Sequence, residues 1–440
     1  MLNMRHFIDS SKPVLFTSLF TSLSVIGVLF IPCSLLANEV SYYDALRIAA
    51  DVSPTTQTAI ARDNQQKSLL SVSQAGYKPK VGISINPSYS EFKDETSITP
   101  ELTVTQTVYD FGRTRNQIAQ VGAESKQVKA INNQELESII ANTSMAYIQA
   151  HRSLSAIQET KQHINDIEQV VKIANDRATA GAGNESDTTQ AQARLVSAKL
   201  TASQIEGDYL QALESLKIYL NVPNALEVIS MPDDLSDKAN LTKPIRFEQI
   251  AEYRNQAAML EISDAQFELA KSDSLPNVGV QLISNKTIEG TNPSTNEKYG
   301  HDNKIQLTMS YDIYQGGAAT SRVSAAAANK EATKYQLQQL KQTLNQRLST
   351  AKIAINQLES KQSLLNERIN VLRKTRDIYK EQYTLGSRSI LDVLNVEQEV
   401  YQAVVDKVNT DHDYWLAVSD YIFMSGQSAD AFGLTILMSE

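Results

Sequence analysis

Side chains that could hold a metal ion or attack a substrate are dispersed along this sequence. The five histidines lie far apart and none has the His-Glu-x-x-His spacing of a zinc site: His6, His151, His163, His301 and His412. Gly316-Gly317 lacks the Lys and the Ser or Thr of a phosphate-binding loop, and no serine stands in a Gly-x-Ser-x-Gly turn. The sequence predicts no catalytic residue, no metal site and no cofactor, which argues against an enzyme.

Thiol chemistry and nucleic-acid binding are equally unsupported. Cys33 is the only cysteine, and the Phe30-Ile31-Pro32 before it does not match the Leu-small-small triplet of a lipoprotein signal, so lipidation is not expected. The chain has 41 basic and 50 acidic residues, and its net charge of −9 argues against a nucleic-acid partner. Most carboxylates fall on predicted helices, where a solvated face accounts for them.

The N-terminal segment has the order of a secretory signal. Arg5 and Lys12 precede an apolar run at 14–31, and Ser34-Leu35-Leu36-Ala37 then leads into the polar Asn38-Glu39. The apolar run approaches the length of a membrane anchor. The small residue at the break and the polar sequence after it favour cleavage, so the chain is predicted to be exported.

The rest of the chain is an internal duplication. Val104–Gly112 resembles Met309–Gly317 and Ala180–Asp187 resembles Leu385–Asp392, with the second copy 205 residues after the first in both cases. Three prolines and an acidic cluster between the copies are typical of a surface linker. The predicted organisation is a signal peptide at 1–37, a first repeat at 38–221, a linker at 222–246, a second repeat at 247–426 and a C-terminal tail at 427–440.

Each repeat is predicted to contain a helix, two strands and then two helices. Leucines, isoleucines and tyrosines recur at spacings of three, four or seven from Leu337 to Tyr383, which is the seam of a coiled coil. This helix would run from about Ala318 to Leu385, about 100 Å at 1.5 Å per residue, and residues 114–180 would form its counterpart. The low counts of Gly and Pro, 16 and 11, agree with such long elements.

Four segments alternate apolar and polar residues with the period of a strand: Val81–Tyr89, Ile98–Val108, Val278–Leu282 and Ile305–Ile313. A soluble sandwich would show the same alternation. The bilayer length of the strands and the aromatic residues at their ends favour a membrane barrel instead. Because unpaired strand edges cannot lie in lipid, several chains must complete one barrel. Its inner face, rich in Thr, Ser, Gln and Glu, predicts a water-filled channel.

These features together resemble the TolC family of outer-membrane channels over about residues 41–426. The resemblance rests on the duplicated unit, on Tyr109-Asp-Phe-Gly112, on Pro79 and Pro276 at helix-to-strand junctions, and above all on Tyr383-Thr-Leu-Gly-Ser-Arg-Ser-Ile-Leu-Asp-Val-Leu394. It implies a mixed α and β membrane protein of the cell outer membrane. Long coiled-coil helices of a homotrimer would form an α-barrel tunnel in the periplasm, and four strands per chain would contribute to one transmembrane β-barrel of twelve strands.

The resemblance also implies that the two helix-helix turns form the periplasmic entrance, which a latch between helix pairs holds shut. Asp187 would accept a hydrogen bond from Tyr383, and Arg388 would reach Ser186 or Asp187. Bonds between arginine and a carboxylate are directional, yet water weakens them. Such bonds suit a latch that opens when an inner-membrane machine docks.

Further positions of the entrance follow from the same resemblance. Asp392 would face the lumen in a ring of carboxylates, and Asn395 stands where several relatives have a second Asp, so the ring would be less negative. In a simpler interpretation, the turn glycines Gly181 and Gly386 and the nearby charges only cap helices, for which Asp187 is well placed. The two roles are compatible.

The predicted function is that of a channel-tunnel subunit for export across the periplasm and the outer membrane. Gly181–Arg194, together with Tyr109–Gly112, is most similar to the branch that serves type I secretion of large adhesins. The alternatives are a drug or small-molecule efflux duct of a tripartite pump and, in another class, a soluble periplasmic coiled-coil adaptor. The implied partners are an inner-membrane ABC or other transporter with a periplasmic membrane-fusion adaptor, outer-membrane lipid, and an exported protein or small molecule.

Overall fold

The structure is a computed structural model that describes residues 38–91, 93–223 and 226–434. The predicted signal peptide, with Cys33, and the end of the predicted tail lie outside the described residues. The α-helices are α1 (Tyr42–Val52), α2 (Pro54–Gln74), α3 (Arg113–Thr179), α4 (Glu185–Leu220), α5 (Leu235–Ala239), α6 (Ala251–Ser272), α7 (Ala318–Thr384), α8 (Ile390–Met424) and α9 (Ser428–Phe432). The strands are β1 (Asn38–Val40), β2 (Lys80–Ser90), β3 (Glu95–Tyr109), β4 (Leu226–Val228), β5 (Asn277–Lys286) and β6 (His301–Ser310).

The longest described elements are α3 and α7, with 67 residues each. Neither contains a proline, so the ladder of backbone hydrogen bonds continues over about 100 Å. Each helix begins after a glycine with positive φ, Gly112 at +90° and Gly317 at +85°, a conformation that other residues rarely adopt. The observed ends lie within one residue of the predicted ones.

The four long helices lie side by side in the order α4, α3, α8, α7, because α3 packs against both α4 and α8 while α7 packs against α8. Helix α2 lies against α3, and α6 lies against α3 and α7. In α7 the predicted seam is the buried face, as Leu344, Leu348, Ile355 and Leu365 illustrate. The four long helices of one chain thus form a single layer.

The four long strands form one antiparallel sheet in the order β2-β3-β5-β6. Residues that face each other across neighbouring strands point to the same side, so the register sorts the side chains. One such row contains Val81, Val104, Leu282 and Ile305, and the adjacent row contains Lys80, Thr105, Gln281 and Gln306. The sheet therefore has an apolar and a polar face, and β2 and β6 are its open edges.

The ends of the strands follow from the prolines at the helix-to-strand junctions. Pro79 lies between a 3₁₀ turn at 75–77 and β2, and Pro276 lies between α6 and β5. Strand β6 stops at Ser310, three residues before the predicted end at Ile313. Ser310 pairs with Asn277, which is the first residue of β5. Pro276, just before Asn277, has no N–H to extend the ladder of hydrogen bonds further.

The segment between the repeats is more ordered than a surface linker. Strand β4 pairs in parallel with β1, and Leu226, Val228 and Leu235 are buried in the main hydrophobic core. The acidic residues predicted to be at the surface do remain exposed. The predicted tail likewise contains α9, whose Phe432 is 1% exposed. The linker and the tail are both ordered for the same reason: burial of the apolar residues within these polar segments stabilises the folded chain.

Among the described helices, none has both the length and the hydropathy that a membrane-spanning helix requires.

Candidate functional site

The two helix-helix turns lie next to each other at the end of the rods that is remote from the sheet. In each turn a glycine has positive φ, Gly181 at +72° and Gly386 at +77°. Amide groups just after each helix return to its last carbonyls, as in Ala182 N–H to Arg177 O (2.9 Å) and Ser387 N–H to Gln382 O (3.0 Å). Glycine allows the chain to reverse here without steric strain.

A tyrosine and an aspartate join the two turns, as the resemblance implied. The Tyr383 hydroxyl donates to Asp187 Oδ2 at 3.2 Å. Tyr383 is 3% exposed and packs in an apolar cluster that includes Ile390 and Val393. Burial and the nearby charge of Asp187 raise the pKa of Tyr383, so its hydroxyl remains a proton donor at neutral pH. The contact therefore links α7 to the first turn of α4.

Arg388 does not make the predicted contact with Ser186 or Asp187. Its Nε lies 3.3 Å from Asp392 Oδ2, and its guanidinium carbon lies 3.7 Å from the centre of the Tyr379 ring. Arg388 and Asp392 are four residues apart around the start of α8, so this pair forms without any movement of a second helix. Ser186 is exposed at the start of α4.

Asp392 is consequently not a free carboxylate in this chain. Its side chain is 45% exposed and faces Arg388, and its backbone N–H donates to the Ser389 hydroxyl at 3.3 Å, which caps α8. Asn395 is exposed one turn further along the helix. The negative charge of Asp392 is therefore partly balanced by a cation of the same turn.

Arg177, in the last turn of α3, is a residue that sequence reasoning missed. Its Nη1 donates to the carbonyl oxygens of Tyr383 and Thr384 at 2.7 Å each, and its Nη2 donates to Ala182 O at 2.7 Å. The guanidinium also lies over the Tyr383 ring, 5.0 Å from its centre. One side chain thus satisfies carbonyls of both turns. The available signal was a cation four residues before a turn glycine, where helix carbonyls lack partners.

A buried ionic network lies above the turns and connects α3, α7 and α8. Glu397 is 1% exposed and its Oε1 lies 2.5 Å from Lys380 Nζ and 3.9 Å from Arg376 Nε. Arg376 also lies 3.5 Å from Asp166 of α3. Burial raises the pKa of Glu397, while the two cations favour its ionised form. Within the described stretches, no group of three or more His, Cys, Asp or Glu side chains could hold a metal ion.

Two tandem units of helical rods and paired strands, with a two-faced sheet at one end and polar turns at the other, define a subunit of a channel-tunnel. The chain belongs to the family described as "Outer membrane efflux protein", whose sequence model matches residues 45–222 and 251–419. Proteins of this family are channels rather than enzymes, and they work with inner-membrane transporters and adaptors.

Curated relatives cover most of the chain. It is 22% identical to outer membrane protein TolC of Escherichia coli over 357 residues, which are 76% of this chain and 72% of that protein. It is 20% identical to alkaline protease secretion protein AprF of Pseudomonas aeruginosa over 415 residues, 87% of this chain and 84% of that protein. It is 22% identical to outer membrane efflux protein BepC of Brucella suis over 387 residues, with coverages of 83% and 81%.

Solved structures share the fold. The structure of CusC superimposes with a TM-score of 0.76 at 13% identity, covering 87% of this chain and 91% of that one. The CmeC outer membrane channel of Campylobacter jejuni gives a TM-score of 0.72 at 16% identity, covering 88% and 85%. The predicted family, fold class and location are confirmed: the protein is an outer-membrane channel of the TolC type with a long periplasmic part. The alternative of a soluble adaptor is set aside.

Proposed function

We propose that this protein forms a homotrimeric export duct for type I secretion of a large protein. The observation that carries the proposal is the polar face of the sheet, where Lys80, Thr105, Gln281 and Gln306 form one continuous row. A lumen of this kind offers water and hydrogen bonds but no apolar pocket for a small hydrophobic compound. Specificity would then belong to the inner-membrane ABC transporter and its adaptor.

The names of the relatives support export and are consistent with either protein secretion or efflux. The relative that aligns over 87% of the chain is described as an alkaline protease secretion protein, whereas another is described as an outer membrane efflux protein. Deletion of the gene should remove one large protein from the culture medium and leave drug susceptibility unchanged. Increased drug susceptibility with normal protein secretion would favour the efflux alternative.

The open edges and two apolar stripes support assembly of several copies. Helix α4 exposes Val196, Leu200, Leu210 and Ile218, and α7, at the other side of the layer, exposes Ile353, Leu364, Val371 and Ile378. Stripes at the two sides of one layer favour head-to-tail contacts, which form a ring where the rotation between copies closes. Leu200 and Val371 both lie roughly 20 Å above their turns, and Ile218 and Ile353 roughly 50 Å, at 1.5 Å per residue.

Disulfide cross-linking tests the ring directly, because Cys33 is the only cysteine and lies in the predicted signal peptide. Leu200→Cys combined with Val371→Cys should give covalent trimers after oxidation, visible on denaturing gels without reductant. The control pair, Leu210→Cys with Val371→Cys, places the thiols about 15 Å further apart along the rods and should stay monomeric. Equal yields from both pairs would contradict this register.

A further inference from the structure

The corner between β3 and α3 has a strained backbone. Phe111 has a φ of +53°, in the left-handed region that bulky residues avoid. The equivalent residue 205 positions later, between β6 and α7, is Gly316, whose φ is +62°. The second repeat thus makes the same turn with a residue that tolerates it. The phenylalanine is not needed for the turn itself, and strain of this kind accompanies function.

The corner is fixed in place by Asp110. Its two carboxylate oxygens accept from the backbone N–H groups of Gly112 at 3.1 Å and Thr114 at 2.8 Å. The negative charge of Asp110 is therefore directed to the start of α3. Next to it, Arg113 is paired with Asp273 at 2.8 Å.

An open cleft of about 340 Å³ lies at this corner, lined by Tyr77, residues 107–112 and Arg115. The rings of Tyr109 and Phe111 meet edge to face with centres 4.6 Å apart, and both are at least 40% exposed. Arg115 is exposed and reaches back over the turn, since a Cβ on Gly112 would lie 3.2 Å from its Nη2. The cleft therefore combines two exposed rings with an exposed cation. The second repeat has Thr320 at the position equivalent to Arg115.

The position of the cleft relative to the sheet indicates what occupies it. A register shift between Thr107 and Tyr109 places Tyr109 opposite Val278, which is itself opposite Met309 on the apolar face. Tyr109 thus ends the lipid-facing surface on the side where the periplasmic helices begin. At that level of a membrane protein, aromatic rings meet the polar headgroups of lipids.

From this geometry we infer that the corner formed by Tyr77, Tyr109, Phe111 and Arg115 binds one glycerophospholipid of the periplasmic leaflet. The Arg115 guanidinium has the planar set of N–H donors that binds a phosphate diester, and the two rings contact the glycerol and the first part of an acyl chain. The strained Phe111 keeps its ring at the cleft, which explains why glycine is absent here. Each subunit would hold one such lipid at the first-repeat corner and none at the second.

Native mass spectrometry of the full-length detergent-purified oligomer tests this site, with phosphatidylglycerol as the probe. We expect up to one lipid per subunit. Arg115→Gln should weaken binding at least about fivefold, and Arg115→Lys should weaken it less because the charge remains. Arg322→Gln, the same change at the start of α7, should have no effect. Phe111→Gly, which copies the second repeat, should also weaken binding while leaving the oligomer at least as resistant to heat.

Three results would overturn the inference. Equal lipid binding by Arg115→Gln and Arg322→Gln would show that the cation is not part of a site. Equal retention of a diacylglycerol with the same acyl chains would show that no phosphate is recognised. Displacement of the lipid by millimolar inorganic phosphate would identify a site for soluble anions instead. If Arg115→Gln does not assemble, the Arg115→Lys and Phe111→Gly variants decide the question through the same measurement.

Discussion

The two helix-helix turns occupy equivalent places in the repeats, yet their aspartates have different partners. Asp187 of the first repeat accepts from Tyr383 of the other helix pair, whereas Asp392 of the second repeat faces Arg388, four residues away in its own pair. The hydrogen bond of Asp187 therefore joins the α3–α4 pair to the α7–α8 pair. The contact of Asp392 stays within the α7–α8 pair, so the two repeats share a backbone but differ in their side-chain contacts.

Single residues account for this difference. At the positions of Tyr383 and Arg388, the first repeat has Ala178 and Gly183, and at the position of Arg177 the second repeat has Gln382. The first repeat therefore supplies the guanidinium and the carboxylate, and the second supplies the hydroxyl and the accepting carbonyls. The two turns therefore share a backbone conformation and carry complementary side chains.

The largest expected effect comes from Arg177→Ala, which removes the two charge-assisted bonds that join the turns and a third bond within the first turn. A loss of about 2 kcal/mol per subunit would favour separated turns by about 30-fold in each copy. Conductance of purified channels in planar bilayers should therefore rise several-fold. Gln382→Ala, the equivalent change in the second repeat, should leave conductance unchanged. Similar effects of the two variants would mean that the turns are not functionally different.

A smaller effect is expected from Tyr383→Phe, which keeps the ring in its apolar cluster and removes only the bond to Asp187. The loss is about 1 kcal/mol per subunit, so conductance should rise about twofold. Tyr379→Phe is the matched control, because the ring that Arg388 contacts remains. If Tyr383→Phe conducts like the unmodified channel, the bond does not hold the entrance.

Arg388→Ser should change ion preference more than conductance. The substitution removes the cation next to Asp392, so the carboxylate should attract cations more strongly. The ratio of cation to anion permeability, from reversal potentials in a salt gradient, should increase about twofold. Asp392→Ala should decrease it, and the double variant should lie between them. A large rise in conductance from Arg388→Ser alone would instead restore the latch role that the resemblance implied.

Acid should weaken the packing of α3 against α8. His163 of α3 stacks on Tyr401 of α8, and His412 of α8 receives a hydrogen bond from His151 of α3. Burial lowers the pKa of both His163 and His412 to about 4. The unfolded chain binds protons near pH 6.5, so their contribution is complete above that pH and is lost between about 6.5 and 4.

The loss is roughly 2 kcal/mol per histidine. The midpoint temperature of trimer dissociation in detergent should fall between pH 7 and pH 4.5. His163→Phe should reduce that fall, and His301→Gln, at an exposed position on β6, should not. An unchanged fall in His163→Phe would exclude this histidine as a source of acid sensitivity.

Sequence alone located the rods and the strands because their periods are strong and their ends are marked. The long helices begin directly after Gly112 and Gly317, within one residue of the predicted starts, and Pro276 explains why β6 stops early. Arg388 lies beside Asp392 of its own turn rather than beside Ser186 or Asp187, because a contact within one turn needs no alignment of two rods. Arg177 was missed because its acceptors are backbone carbonyls, and its position four residues before a turn glycine was the one sequence signal for them.

The parallel pair of β1 and β4 has a consequence for the order in which the chain folds. Val40, at the start of the first repeat, pairs with Val228, just after its end, and the Tyr147 hydroxyl donates to Val40 O at 3.0 Å. Closing so long a loop loses much chain entropy before any contact is gained. Strand β1 should therefore pair with β4 late, after α3 has formed. This pairing would be one of the last steps in the folding of the subunit.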